Sequence, residues 1–336
     1  MSPRARVALV VAALAALAAV VVAGAAVVSA EEVPTRGAER TPHPREGSPP
    51  LVLDLGVRSD AEARTLRRAA EAYERSRQGG GETLREDAAA LFARSDSLEA
   101  RMGLALTRWP ESLDRVEQLA ALYPRSAFAQ LHAGLARYWA DRAGAEQAWR
   151  EARDAEPDSR YAIVASGFLH PQFAPGLPVF VAATPFPEEL ARLAPAEQLE
   201  RLRAGAASRA GGRAALTRKL HYGIALQRLG RPLSARRVYD EAAAAYPDEP
   251  EALVAAAVGR FEKERPEAAF SRLGPLARRF PHVASVRFHL GLLLLWSRQV
   301  DEARDQLRRA IRAEPESPLA AEAQRYLDEI GRVGTP

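Results

Sequence analysis

Three prolines near the carboxyl end of the chain recur at a fixed interval. Pro247, Pro281 and Pro315 are separated by 34 and 34 residues, and alignment on them brings small and bulky residues of the three segments into a common register. Units that repeat at such an interval bury their apolar faces mainly against their neighbours. The interval therefore predicts an elongated array of similar units in this part of the chain.

The composition agrees with closely packed helices. Hydrophobic residues make up 47% of the 336 residues on a count that includes alanine, whereas aromatic residues make up 7%. Alanine supplies little volume to a core, so helices must approach one another closely, with larger side chains concentrated where the helices touch. The composition therefore favours an all-α fold.

Each repeat carries the same set of small and bulky positions. The repeat positions are Gly223, Ala235, Tyr239, Pro247, Ala269, Leu273, Pro281, Gly291, Ala303, Leu307, Ala310 and Pro315. Because glycine has no Cβ, Gly223 and Gly291 allow the paired helix, which carries Ala235 or Ala303, to come close at the crossing. We expect Tyr239 and Leu307 to pack between one repeat and the next, and each proline to end a helical hairpin.

This pattern resembles the tetratricopeptide repeat (TPR) family, most clearly over residues 216–332. Members of that family have a helix, a short turn and an antiparallel helix, repeated every 34 residues, with a proline opening the next turn. The resemblance implies an all-α, right-handed superhelical solenoid of helix-turn-helix repeats. It also implies that the first helix of each repeat lines a concave groove, which holds a peptide or a segment of a partner protein.

The amino-terminal region predicts a membrane element. The 24 residues at 7–30 carry no charge, and as a helix they would span about 36 Å, which is enough to cross a bilayer. Arg4 and Arg6 precede this stretch, so residues 1–6 are expected in the cytoplasm and the rest of the chain outside it. We therefore predict a single-pass anchor in the cell membrane, with a signal peptide cleaved after Ala30 as the alternative.

Residues 31–58 contain several prolines and mixed charges, which predicts a disordered linker. The apolar stretch at 51–55 is an exception, because its pattern also fits an extended segment packed on the first helices. Residues 59–167 then predict an N-terminal array of helical hairpins similar to TPRs, but with a weaker period. The linker would place the folded part of the chain away from the membrane.

The second half of the chain begins where the period breaks. Residues 168–195 are too rich in proline for a helix and too apolar for a solvated linker, which predicts an ordered insertion packed on the array. Three TPR-like repeats with a leading helix are expected at 196–316. An amphipathic helix at 317–332, with polar residues outward, is expected to cap the array.

The first helices of the three repeats define the candidate binding groove. By the period, the groove residues are Leu220, Ile224, Gln227, Arg228, Val254, Val258, Phe261, Phe288, Leu292, Leu295 and Trp296. Most of these residues are apolar, and a contiguous apolar groove is seldom left exposed to water. Three occupants remain open: an apolar segment of a partner protein, another copy of the chain, or the insertion itself.

The sequence lacks the motifs of catalysis, metal binding and cofactor binding. The absence of cysteine excludes disulfides and thiolate metal sites. The glycines at 79–81 are not followed by the Lys-Ser/Thr pair of a phosphate-binding loop. His221 and His289 fall at equivalent places two repeats apart, and we interpret them as polar residues at the groove rim. We therefore predict a protein that is not an enzyme and that needs no metal or cofactor.

The charge pattern argues against nucleic-acid binding. The net charge is +4, and arginine alternates with aspartate and glutamate along the predicted helices, for example at 301–305. Proteins that bind nucleic acid concentrate positive charge on one face. The expected partner is therefore a protein or peptide.

These features together predict a membrane-tethered, extracytoplasmic TPR scaffold or adaptor. By resemblance, such proteins act in the assembly or maintenance of an envelope complex in bacteria, and the fold alone does not identify the partner. One alternative is a ligand-binding protein or enzyme with a pocket at the insertion over 168–187, where His170, Arg160 and Tyr161 are the candidate polar groups. Another is a self-associating structural array.

Overall fold

The computed structural model describes residues 45–208 and 211–334, and every regular element in these ranges is a helix. The all-α prediction is therefore confirmed for the described part of the chain. The stretch at 7–30 that predicts a membrane anchor lies outside the described residues. Among the helices that are described, none has the length and apolar character needed to span a bilayer.

The chain divides into two compact units, one ending at Leu169 and the next beginning at His170. The N-terminal unit contains seven α-helices within the described residues. They are α1 (Ala61–Arg75), α2 (Gly81–Phe92), α3 (Leu98–Leu106), α4 (Leu113–Leu122), α5 (Ala127–Trp139), α6 (Ala145–Ala155) and α7 (Arg160–Leu169). Successive helices pack against each other, and most of their buried apolar side chains form one core.

Short polar side chains begin several of these helices. The Asp60 carboxylate accepts a hydrogen bond from the Ala63 amide at the start of α1 at 2.9 Å, and the Ser126 hydroxyl accepts one from Ala129 at the start of α5 at 3.3 Å. Such caps satisfy amide groups that have no partner inside the helix.

The C-terminal unit contains the repeats. Its helices are α8 (Glu188–Ala191), α9 (Pro195–Ala206), α10 (Arg213–Arg228), α11 (Pro232–Ala245), α12 (Pro250–Val258), α13 (Glu267–Arg279), α14 (Ala284–Trp296), α15 (Val300–Ala313) and α16 (Pro318–Gly334). Pro247, Pro281 and Pro315 lie in the turns after α11, α13 and α15. The prolines thus separate successive hairpins, because their rings cannot continue the preceding helix.

The small residues of the repeat lie where the helices cross, and Ala235, Ala269, Ala303 and Ala310 are fully buried there. A Cβ placed on Gly223 would be 2.2 Å from Cε1 of Tyr239, and a Cβ on Gly291 would be 3.0 Å from Cγ of Leu307. Each bulky residue therefore fills the space beside the glycine of its own hairpin.

The bulky residues were expected to pack between repeats, and Tyr239 does so. The Tyr239 ring also approaches Gly259 of the following repeat, where an added Cβ would be 3.0 Å from Cδ2 of the ring. Leu307, by contrast, packs on Gly291 in the same hairpin. The Tyr239 ring therefore joins two repeats, while Leu307 is fully buried in the core of the unit.

Candidate functional site

The predicted groove is a buried surface in this structure. Its apolar residues on α10, α12 and α14 lie in the core of the C-terminal unit together with Ala174 and Phe180 of the insertion. These groove residues are Leu220, Ile224, Val254, Val258, Leu292 and Leu295. Of the three occupants that the sequence leaves open, the structure contains the chain's own insertion.

The insertion places one aromatic side chain at the centre of the groove. Phe180 is fully buried, and its ring stacks on His289 with 4.8 Å between the ring centroids and 16° between the ring planes. The edge of the same ring faces Tyr239 at 5.6 Å. A second aromatic contact joins Phe173 to Phe261 at 6.2 Å. These rings give the apolar part of the contact between segment and groove.

Side-chain acceptors hold the backbone of the insertion. The amide of Phe180 donates to Oε1 of Gln227 at 3.0 Å, and the amide of Val181 donates to Nε2 of His289 at 2.9 Å. Farther along, the amide of Ala183 donates to Oε1 of Glu251 at 2.6 Å. Three side chains from α10, α12 and α14 thus recognise three main-chain N–H groups in one short extended stretch.

The chemistry of His289 is determined by its surroundings. Its Nδ1 donates to the carbonyl of Ser285 at 2.6 Å, which leaves Nε2 without a proton and able to accept from Val181. Burial lowers the pKa of His289 to about 4, because the charged imidazolium would be taken out of water. The ring is therefore neutral near pH 7.

His221 binds the same segment as a hydrogen-bond donor, whereas His289 binds it as an acceptor. Its Nε2 donates to the carbonyl of Thr184 at 3.1 Å, and burial lowers the pKa of the ring. The interpretation of His221 and His289 as rim residues is wrong, since both are buried. Sequence reasoning recognised their equivalent positions, but their hydrogen-bond partners lie far away along the chain.

The N-terminal unit contains a matching arrangement. The amide of Val52 donates to Nε2 of His132 at 3.0 Å, and Nδ1 of His132 donates to the carbonyl of Phe128 at 2.7 Å. The Tyr161 hydroxyl accepts from the amide of Asp54 at 3.1 Å. Burial lowers the pKa of His132 to about 4, as it does for His289.

Part of the linker predicted at 31–58 is an ordered segment packed on the N-terminal unit. Pro49, Pro50, Val52 and Leu55 are buried on the N-terminal unit, and residues 31–44 lie outside the described part of the chain. Tyr73 donates from its hydroxyl to the carbonyl of Pro49 at 2.7 Å. The prediction of disorder is wrong for residues 45–50, whereas the alternative of a packed extended segment at 51–55 agrees with the structure.

One sequence signal marks these histidines. Each lies two residues before a glycine: His132 before Gly134, His221 before Gly223 and His289 before Gly291. At Gly134 an added Cβ would be 2.4 Å from the ring of Trp149, so this glycine also lies where two helices cross. The pattern His-x-Gly at a predicted helix crossing could therefore have identified the histidines that bind the extended segments.

Other predicted groove residues have different roles. The carbonyl of Trp296 accepts from the amide of Ala174 at 2.9 Å, and the Arg228 guanidinium lies 5.6 Å from the centroid of the Phe186 ring. Phe288 packs at 6.0 Å from Tyr326 of α16, so it contacts the capping helix. The segment contacts that sequence reasoning missed are Glu251, His221 and His289.

The three candidate polar residues of the alternative pocket belong to different units. Arg160 and Tyr161 belong to α7 of the N-terminal unit, where the Tyr161 hydroxyl is engaged by Asp54. His170 belongs to the C-terminal unit and lies 3.1 Å from a carboxylate oxygen of Glu264. Across the described residues, no group of three or more side chains is placed to hold a metal ion.

One buried cation was not anticipated from the sequence. Lys263, in the loop between α12 and α13, is 2% exposed, and its Nζ has no hydrogen-bond partner among the described residues. Burial lowers its pKa to about 7, which opposes the smaller effect of the nearby Glu264 carboxylate. A charged ammonium in this position is costly to the fold.

Comparison with known proteins identifies a repeat in the last part of the chain. Residues 285–317 match the tetratricopeptide repeat family, which confirms the resemblance found in the sequence. This stretch contains most of α14 and all of α15. No curated protein matches the chain.

Two solved structures show distant similarity. The Cut9–Hcn1 hetero-tetramer of APC/C aligns with 13% identity and a TM-score of 0.26, covering 82% of this chain and 56% of that chain. Yeast Tom70 aligns with 11% identity and a TM-score of 0.29, covering 85% of this chain and 66% of that chain. The chain thus spans between half and two thirds of their length, and both scores are too low to add to the family match.

Proposed function

The chain carries a tetratricopeptide repeat, and on that premise we propose that it is a membrane-tethered scaffold that binds a protein partner outside the cytoplasm. Helical repeats of this kind present extended surfaces to other proteins, and the proposed role is binding and not catalysis. One observation carries the proposal. The groove of the C-terminal unit receives an extended polypeptide segment, and three of its side chains accept hydrogen bonds from that segment's main chain.

The partner is proposed to contribute an extended segment that replaces residues 173–184. Main-chain N–H groups are present in every residue except proline, so the acceptors Gln227, His289 and Glu251 suit many sequences. Selectivity would come from the space now filled by Phe180, between the rings of His289 and Tyr239. A partner segment with one large apolar side chain at this place meets both requirements.

The membrane location is part of the proposal. The uncharged stretch at 7–30, preceded by Arg4 and Arg6, supports a single-pass anchor with the two units outside the cytoplasm. We infer that the scaffold serves an envelope complex and that its repeats coil as a right-handed superhelix. Membrane fractionation and protease treatment of intact cells test the location. Recovery of the full-length chain in the cytoplasmic fraction would overturn it.

A peptide exchange experiment tests the groove. Phe180→Asp places a charge in the apolar centre of the groove and should release the insertion. A labelled synthetic peptide with the sequence of residues 173–184 is then titrated against the full-length variant and the wild-type chain. We expect saturable binding to the variant and little binding to the wild type. Leu122→Asp is the control, because Leu122 is 62% exposed and lies in the other unit.

Proximity labelling in the native membrane extends the test to real partners. The Phe180→Asp chain should label its protein neighbours more strongly than the wild type does, because its groove is open. Labelling of copies of the same chain alone would favour a self-associating array. If circular dichroism shows that the variant is folded and neither peptide nor neighbours respond, the groove is not the partner surface.

A further inference from the structure

A cleft separates α15 from the capping helix α16, away from the filled groove. It has a volume of about 520 Å³. Arg304, Arg308 and Arg312 occur four residues apart on α15, so they share one face of that helix and all line the cleft. Ile311 and Leu327 add apolar surface between the two helices.

The cleft carries excess positive charge. Asp328 is the one carboxylate among its lining residues. The guanidinium of Arg304, which is half-buried, lies 3.2 Å from a carboxylate oxygen of the exposed Asp301 in the same helix. Arg308 and Arg312 are exposed, and no ion pair holds either of them within the described part of the chain. Two guanidinium groups in this cleft therefore have their donors available to a ligand.

An earlier repeat shows what an arginine at this position can bind. Arg236 precedes Arg304 by two repeat lengths, and its guanidinium donates to Oε1 of Glu262 at 2.9 Å. Glu262 belongs to the turn inside the next helical hairpin. The residue that corresponds to Glu262 after Arg304 is Ile330, which is buried within α16. At the end of the described array, the carboxylate partner found inside the array is missing.

We propose that this cleft is a docking surface for an acidic peptide segment of another protein. The positions of Arg304 and Arg312 are about 12 Å apart along the helix, so a single small anion would reach only one end. Carboxylates spaced along a peptide can engage several guanidinium groups together, with paired hydrogen bonds to each. Apolar side chains between those carboxylates would contact Ile311 and Leu327.

A matched pair of synthetic peptides tests the proposal on the full-length chain. One helical peptide carries glutamate at every fourth residue with alanine and leucine between, and the other carries glutamine at the same places. We expect the glutamate peptide to bind and to weaken with added salt. Arg308→Gln combined with Arg312→Gln should lower its affinity at least about tenfold, and lysine at both positions should restore part of it.

The control variant removes the same charge elsewhere. Arg309 and Arg325 pair with Asp305 and Glu322 and do not line the cleft. Arg309→Gln combined with Arg325→Gln should leave peptide affinity unchanged. Equal binding of the glutamine peptide, or an equal loss in the control variant, would overturn the proposal.

A vesicle assay separates a peptide ligand from a membrane surface. If vesicles containing phosphatidylglycerol bind through Arg308 and Arg312 while the glutamate peptide does not, the cleft binds lipid and the proposal is wrong. Both arginines are exposed, so the variants should remain folded, and thermal unfolding checks this directly. The peptide exchange at the filled groove uses other residues, so failure of one proposal leaves the other unaffected.

Discussion

In both units, a histidine at the same position of a helical hairpin binds the main chain of an extended segment. In each, a buried histidine two residues before a helix-crossing glycine accepts the amide of a valine, Val52 in the N-terminal unit and Val181 in the C-terminal unit. Each histidine is held by the carbonyl four residues before it. The shared geometry indicates that the position, and not one particular segment, favours recognition of an extended main chain.

The two docked segments differ in how many of their main-chain amides are bound by side chains. In the N-terminal unit, Tyr73 and Arg77 donate to the carbonyls of Pro49 and Ser48. In the C-terminal unit, Gln227 and Glu251 accept from amides of the insertion. Both segments are held through amides and carbonyls, but three side chains accept from amides of the second segment and two accept from amides of the first. We expect the second to be the more easily replaced, since its acceptors suit any extended segment.

The largest expected effect concerns the glycines at the helix crossings. Gly134→Ala should lower the free energy of unfolding by about 3 kcal/mol, because the new Cβ would be 2.4 Å from the rigid ring of Trp149. Gly291→Ala should cost about 1 kcal/mol, since Cγ of Leu307 lies at 3.0 Å and a leucine can change its rotamer. Urea unfolding measures both values.

Gly331→Ala is the control for these substitutions. This glycine lies in α16 with no neighbouring atom within 4 Å of an added Cβ. Alanine should therefore stabilise the helix by up to about 1 kcal/mol. Equal losses of unfolding free energy in Gly134→Ala and Gly291→Ala would show that the Trp149 ring and the Leu307 side chain adjust equally well. The two units would then not differ in how tightly their helices cross.

Acid should weaken both units through their shared histidine. His132 and His289 have a pKa of about 4 when folded, against 6.5 for the free side chain. Between these values the unfolded chain binds more protons, so stability is lost as pH falls from 6.5 to 4. The loss is on the order of 3 kcal/mol for each histidine. Denaturant unfolding over this pH range measures it.

Glutamine variants isolate the titration of each ring. His132→Gln and His289→Gln keep an acceptor near the valine amide but cannot gain a proton. Each variant should show a flatter pH dependence than the wild type, with hydrogen exchange at Val52 or Val181 assigning the effect to a unit. An unchanged slope in either variant would mean that its histidine does not control the docked segment.

Lys263 should make the stability of the C-terminal unit depend on pH above about pH 7 in a way that the N-terminal unit does not share. Both lysines of the chain, Lys219 and Lys263, belong to the C-terminal unit, and burial lowers the pKa of Lys263 from 10.5 to about 7. The unfolded chain therefore holds the extra proton between these values, and stability should rise with pH. We expect a gain of about 2 kcal/mol between about pH 7 and about pH 9 in the C-terminal unit.

Lys263→Met keeps the volume of the side chain and removes its charge. The variant should be at least as stable as the wild type at neutral pH and should lose the alkaline gain, as followed by urea unfolding at several pH values. An alkaline gain that persists in Lys263→Met would assign it to another group.

The smallest effect concerns a cap that both units share. Glu156 accepts from the amide of Ala127 at the start of α5 at 3.0 Å, and Glu314 accepts from Ala284 at the start of α14 at 3.1 Å. The Ser126 side chain also caps α5, whereas α14 has no other side-chain cap. Glu314→Ala should cost about 1 kcal/mol and Glu156→Ala less, by thermal unfolding.

Glutamine at these two positions provides the matched control. Glu314→Gln and Glu156→Gln keep an oxygen that can accept the hydrogen bond, so most of the stability should return. A greater cost at Glu156 would mean that the two caps are not equivalent.

The repeat itself could be predicted from the sequence because its signals are local. The proline interval places the turns, and the smallness of Gly223 and Gly291 is required by side chains of the same hairpin. The capping helix was predicted within two residues of its observed ends for the same reason. Patterns within one hairpin determine each of these features.

The contents of the groove could not be predicted in the same way. Val181 and His289 are 108 residues apart, and no periodic pattern links a histidine to the amide that it binds. The apolar residues predicted for the groove are buried in the core of the unit, but the same pattern fits a partner, another copy or the insertion. Lys263 was missed because a buried lysine has no sequence signature distinct from an exposed one.

The filled groove has a kinetic consequence. When the insertion leaves, Gln227, Glu251 and His289 each lose a main-chain donor and the apolar groove is exposed to water, which is costly. A partner that enters this groove would therefore do so by exchange with the resident segment. Its observed association rate would rise with concentration only until release of the segment becomes limiting, and then stay constant. The resident segment would thus limit how quickly partners are captured, however abundant they are.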